Sequence, residues 1–115
     1  MGRRNRQRTK LAAPFSEYVD AGGSVLTLRG TLSAATRLQY AELLSAGLHR
    51  EDARQRATEF LFERLAVSWT IAGLELARQR DLLARYRVAS AAEREFVLDS
   101  LRAHARLNFP ELQVA

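Results

Sequence analysis

The 115-residue chain contains no cysteine. Disulfides, thiolate metal sites and a cysteine nucleophile are therefore excluded, and the redox compartment is left open. Histidine is almost as scarce. His49 sits in a link and His104 on the last helical stretch. Neither has another histidine or paired carboxylates at ligand spacing, so no metal site is expected. His104 follows Leu101 on the apolar side of its segment and reads as a hydrogen-bonded histidine at an internal interface. Proline occurs only as Pro14 and Pro110, each closing a stretch.

Long apolar runs are missing too. Leu65 to Leu74 is uncharged, but it covers about half of the roughly 20 residues that a membrane span needs. No apolar segment follows Lys10 in the manner of a secretory signal. The expectation is a protein of the cytoplasm, or of a particle assembled there, with no membrane contact. No phosphate-cradling glycine loop, nucleophile elbow or zinc-protease motif is present. Gly22-Gly23 precedes no helix start and reads as a turn. Glu59 and Glu63 share a helix face without further carboxylates, which suits a solvated edge. The chain is accordingly expected to be no enzyme, with no cofactor and no small-molecule substrate.

What is present is unevenly placed. The net charge is +5, and residues 1–10 hold Arg3, Arg4, Arg6, Arg8 and Lys10 with no acid. That arm accounts for the whole excess. The 18 basic and 13 acidic residues of the chain leave 13 of each sign for residues 11–115. A neutral body with a charged tail points to an interaction arm rather than a basic domain face. Four arginines and a lysine can neutralise phosphates, and arginine adds a bidentate fork. The arm therefore suits a polyanion, nucleic acid first, or an acidic protein neighbour.

Residues 1–14 read as the arm and residues 15–115 as a single domain. Within 15–30, alternating residues flank Asp20-Ala21-Gly22-Gly23, the pattern of a β-hairpin. Ser33 caps a first helix with Thr36 as its third-position partner, and Gly47 ends it. A second helix is expected from about 51 to 72, where Phe60, Leu61, Leu65, Trp69 and Ala72 recur at helical spacing. Phe62, Ala66, Val67 and Ile71 fill much of the remaining circumference, so this helix should be buried on nearly all sides. Gly73 ends or bends it. Residues 74–87 read as a third helix. Ser90-Ala91-Ala92-Glu93 is a capping box opening a fourth. That helix ends near Leu107, with Asn108 able to take a left-handed conformation before Pro110. Leu112 and Val114 let the tail dock. The expected fold is mainly α: four helices around a buried central helix, with an N-terminal hairpin and a basic arm.

Two further sets of residues are candidate contacts. Arg78, Arg80, Arg85 and Arg87 repeat at seven-residue spacing and could extend a phosphate-binding surface beside Tyr86. They also suit an outer helix face with ion pairs such as Arg78–Asp81 and Asp81–Arg85. Phe60, Phe62, Trp69 and Ile71 are of the type that anchors interfaces, and they serve equally as core; the edge of the hairpin could also accept or donate a strand. A helix-turn-helix reading of the last two helices fails, because Glu93 and Glu95 would meet the DNA at the recognition helix.

The stretch Leu26-Thr27-Leu28-Arg29-Gly30-Thr31-Leu32-Ser33-Ala34-Ala35-Thr36-Arg37 runs a strand ending in Leu-Arg into a serine-capped helix. Helices with a central tryptophan follow. Over residues 24–107 this pattern resembles small tailed-phage assembly proteins, of the tail-assembly chaperone type or a virion accessory protein. The resemblance implies a non-enzymatic protein engaging other tail chains, and it carries no individual functional residue. Taken together, the sequence points to a binding or assembly module with a protein partner or a second copy, and with a polyanion, nucleic acid first, or an acidic partner for the arm; the alternatives are a phage protein of the kind just named and a small nucleic-acid-binding subunit of a ribonucleoprotein-type complex.

Overall fold

A computed structural model describes residues 15–45 and 50–114. Among these residues, four strands and four helices follow one another in a mixed order. The first hairpin is β1 (Phe15–Val19) and β2 (Val25–Arg29). Two helices, α1 (Ala34–Ser45) and α2 (Arg50–Leu65), come next. A second hairpin, β3 (Ala66–Ile71) and β4 (Leu74–Leu76), precedes α3 (Gln79–Arg87) and α4 (Ala91–Asn108). The strands form one antiparallel sheet in the order β1-β2-β3-β4. The mainly α expectation is therefore overturned: the fold is mixed, with helices packed on a four-stranded sheet.

The first hairpin forms as its sequence suggests. The register pairs Phe15 with Arg29 and Val19 with Val25. Asp20 organises the loop, its Oδ1 accepting from the backbone of Gly22 and Ser24 at 2.9 Å each. Such an aspartate replaces missing ladder bonds with side-chain ones. A lone two-stranded ribbon is marginal, and here β3 supports it by pairing with β2.

The second hairpin is the main departure. The expected helix of about 51–72 stops at Leu65, and Ala66-Val67-Ser68-Trp69-Thr70-Ile71 is a strand. Val67, Thr70 and Ile71 are β-branched and Trp69 is aromatic, types that suit a pleated, half-buried surface. Apolar residues at 65, 69 and 72 fit a helix by spacing alone, but the free edge of β2 captures the segment. Ala72-Gly73 is then a two-residue turn with φ of 52° and 80°. Positive φ at both positions matches the right-handed twist of the flanking strands. Leu74–Leu76, expected in the third helix, is β4, so α3 begins only at Gln79.

A bulge adjusts the sheet to its cover. Thr27 pairs with Ser68 while Leu28 pairs with Ala66, leaving Val67 as the extra residue. A bulge re-aims the side chains around it, and Ala66 and Trp69, three apart, are both buried. Tyr18, Leu26, Trp69 and Leu76 form one row across all four strands. Leu28, Leu61, Phe62, Leu65, Val97 and Leu101 meet this row to make the core. The rings of Phe62 and Trp69 lie edge to face at 5.9 Å, and Phe62 stacks on Tyr86 at 5.0 Å.

Helix α1 has Ser33 as its cap, Oγ accepting from the Thr36 backbone at 3.1 Å. Helix α4 has the full capping box between Ser90 and Glu93. Asn108 is the last residue of α4, and its side chain turns back to bond the His104 carbonyl at 3.0 Å. It does not take the left-handed conformation expected of it. The tail then docks along α1: Arg37 meets Glu111 at 2.6 Å and Tyr40 Oη donates to the Gln113 carbonyl at 2.6 Å.

Candidate functional site

The helices cover one face of the sheet. Alternation along the paired strands sends Phe15, Glu17 and Val19 of β1 to the opposite face, with Val25, Thr27 and Arg29 of β2. Ser68 and Thr70 of β3 and Glu75 of β4 continue it. Phe15 and Val19 are 60% and 63% exposed. The middle of the face is uncharged, being Val25, Thr27, Ser68 and Thr70. Arg29 lies at one end, with Glu17 and Glu75 at other margins. The outer edge of β1 is also without a strand partner among the described residues.

The candidate residues fall into different places. The arm, Arg3, Arg4, Arg6, Arg8 and Lys10, lies outside the described residues, as does His49. Arg78 and Arg80 are exposed at the start of α3. Arg85 and Arg87 are engaged within the fold instead. Arg85 Nη2 bonds Glu93 Oε2 at 2.7 Å, and its guanidinium lies 5.6 Å from the Trp69 ring centre. Arg87 bonds Glu59 at 3.1 Å, tying α3 to α2. The seven-residue repeat thus divides by position: the N-terminal pair faces solvent and the C-terminal pair holds helices together. Neither Arg78–Asp81 nor Asp81–Arg85 forms among the described ion pairs.

Phe62 and Trp69 are interior, at 0% and 1% exposure. Ile71 is half-buried near the second turn. Phe60 is half-buried on α2, with the Arg64 guanidinium 4.9 Å from its ring centre. Of these four, Phe62 and Trp69 have no surface to offer a partner. Sequence reasoning placed the contact surface on this segment and on the hairpin, but did not single out Phe15, Val19 and Val25, whose alternation was already visible there. What was missing was the knowledge that only one face of that hairpin would be covered.

His104 is fully buried and joins α4 to the first hairpin. Nε2 lies 2.8 Å from the Arg29 carbonyl, so Nε2 carries the proton and donates. Nδ1 accepts from Tyr18 Oη at 2.9 Å and stands 3.3 Å from Asn108 Nδ2. Every polar atom of the ring has a partner. Burial pushes the Tyr18 hydroxyl above the usual tyrosine range, which keeps it a donor. Glu93 is held below the usual glutamate range, first by the hydrogen bond from Arg85 and next by the Ser90 backbone N–H.

Among the described residues no group of three or more His, Cys, Asp or Glu side chains is placed to hold a metal ion. No helix of the described residues is long and apolar enough to cross a membrane. No family model, curated protein or solved structure matches the chain.

Proposed function

We propose that the protein is a non-enzymatic assembly module, acting in the cytoplasm or in a particle assembled there. Its folded body docks through the open sheet face, and its basic arm contacts a polyanion, nucleic acid foremost. The observation that carries this reading is that, among the described residues, helices cover the sheet on one side only. Phe15 and Val19 stand exposed on the other. Two sheets packed face to face close such a surface in the way of a β-sandwich.

The occupant is a second copy of the chain. The face is uncharged at its middle, has the apolar Phe15 and Val19 along its edge strand and carries both charge signs at its margins. Arg29 of one copy can meet Glu17 or Glu75 of the other, so the surface complements itself, as a two-fold interface requires. The body is also neutral overall, with basic and acidic residues balanced outside the arm. Net repulsion between copies is therefore small.

Light scattering on the full chain tests this. A dimer is expected at tens of micromolar protein, and Phe15→Glu with Val19→Glu should return it to a monomer without changing its circular dichroism. A monomeric full chain overturns the reading. So does a dimer indifferent to both substitutions, or a monomer that a different protein recruits through this face.

A further inference from the structure

Helices α2 and α4 are far apart in sequence but run beside one valley. Arg50 and Arg54 reach it from α2, one turn apart. Arg94, Arg102 and Arg106 reach it from α4. Three neighbouring depressions make up the valley, and they share walls: Arg54 joins the first to the second, Arg102 the second to the third, and Val114 the third to the first. From Arg94 to Arg106 the row spans twelve residues, or about 18 Å of helix.

Four of these five guanidiniums are little used by the fold. Arg102 meets Asp99 at 3.4 Å, an exposed pair one turn apart on the same helix. Arg94 is the exception: it donates to the Arg87 carbonyl at 2.8 Å and the Ala89 carbonyl at 3.4 Å and lies 5.2 Å from the Tyr86 ring centre, so its fork is occupied although no carboxylate meets its charge. Arg50, Arg54 and Arg106 have no ion pair among the described residues. Against five arginines the lining holds two carboxylates, Glu51 and Glu95, and Asp99 stands beside Arg102. The buried Thr58 and Tyr86 add hydroxyl-bearing side chains to the same lining.

We propose that this valley is a second polyanion site, taking the phosphodiester backbone of a nucleic-acid strand. Arg50 and Arg54 on one helix and Arg102 and Arg106 on the other, each pair one turn apart, present forked donors able to hold a phosphate through two bonds, and Arg94 adds its charge beside them. Such binding is nearly blind to sequence, because phosphates position and base edges specify. The proposal extends the polyanion contact assigned to the arm, but it rests on residues of the folded body. It is also independent of the sheet face. The two carboxylates in the wall bias the site toward a strand that touches the arginines at intervals and away from a continuously seated anion.

The test measures fluorescence anisotropy of labelled random-sequence single-stranded DNA and RNA with the full chain across a salt series. One variant combines Arg54→Gln, Arg102→Gln and Arg106→Gln, and another replaces the five basic residues of the arm with Gln. Each variant is checked by thermal melting. The valley variant is expected to bind at least tenfold more weakly. It should also lose about 2 from the slope of log affinity against log salt, at about 0.7 per lost phosphate contact. The arm variant should lose affinity separately. If the valley variant binds as the unmodified chain does while the arm variant fails, the valley proposal falls and the arm reading stands. If the full chain binds no nucleic acid at low salt, both fall. If poly-glutamate displaces the strands at equal charge concentration, the valley is an acidic-peptide site and the proposal is overturned.

Discussion

Ala72 occupies the left-handed region at φ 52°, alone among the described non-glycine residues. A Cβ in that conformation crowds the following carbonyl and costs roughly 1–2 kcal/mol. Asparagine tolerates it and is favoured at the first position of such turns. Ala72→Asn should therefore stabilise the protein by about 1 kcal/mol, read as a melting temperature several degrees higher. An unchanged or lower melting temperature would mean that the turn is not strained. Glu93 gives a second prediction at this scale. Its carboxyl is held below the usual range by Arg85 and by the Ser90 N–H. The stabilisation is fully present above the unfolded value, about 4.3. It is lost as pH falls through the lower folded value. Urea midpoints should drop as pH falls from about 5 toward 2, and Glu93→Gln should flatten part of that decline. A decline identical in both proteins would remove Glu93 from the account.

At the scale of elements, β3 decides the architecture. Its residues satisfy a helical pattern and a strand pattern at once. Trp69 falls one turn after Leu65 if the chain stays helical, and opposite Leu26 if it does not. Short apolar runs cannot be divided by periodicity alone, and the β-branched residues at 67, 70 and 71 were the available local signal. By contrast, the first hairpin and the serine-led starts of α1 and α4 were legible, because turns and caps are set by residues within a few positions. The strand placement makes Trp69 the centre of the sheet's covered face. Trp69→Ala should cost about 3–5 kcal/mol, the usual range for a buried aromatic. Trp69→Phe should cost less than half of that, since the indole N–H has no hydrogen-bond partner to lose. A chemical denaturation series separates these outcomes. Equal losses would show that the N–H is satisfied in solution.

The whole molecule divides its surfaces. The open sheet face lies on one side, and the arginine valley lies in the helical layer on the other. The dimer test and the nucleic-acid test therefore report on separate regions. Phe15→Glu with Val19→Glu should leave the salt slope of strand binding per protomer unchanged, and the valley variant should leave the dimer intact. The candidate contacts of the sequence were redistributed by this geometry. Phe62 and Trp69 went to the core, Arg85 and the still exposed Arg87 to helix-joining pairs, and only Arg78 and Arg80 of that repeat are in no ion pair among the described residues. The five arginines of the valley had no visible pattern, because α2 and α4 contribute them from segments some fifty residues apart in a neutral charge background.

The sequence by itself determined the first hairpin, the capped helix starts, the neutral body and the concentration of excess charge in residues 1–10. Each depends on local steric and hydrogen-bonding preference, or on counting. Only the tertiary structure decided that the stretch after Leu65 is a strand, that the described helices leave one sheet face open and that α2 and α4 pool their arginines. Those outcomes depend on which distant surfaces meet. The unpaired edge of β2 gives residues 66–71 backbone partners that no local preference supplies, and burial of Trp69 against Leu26, Phe62 and the helices stabilises that choice.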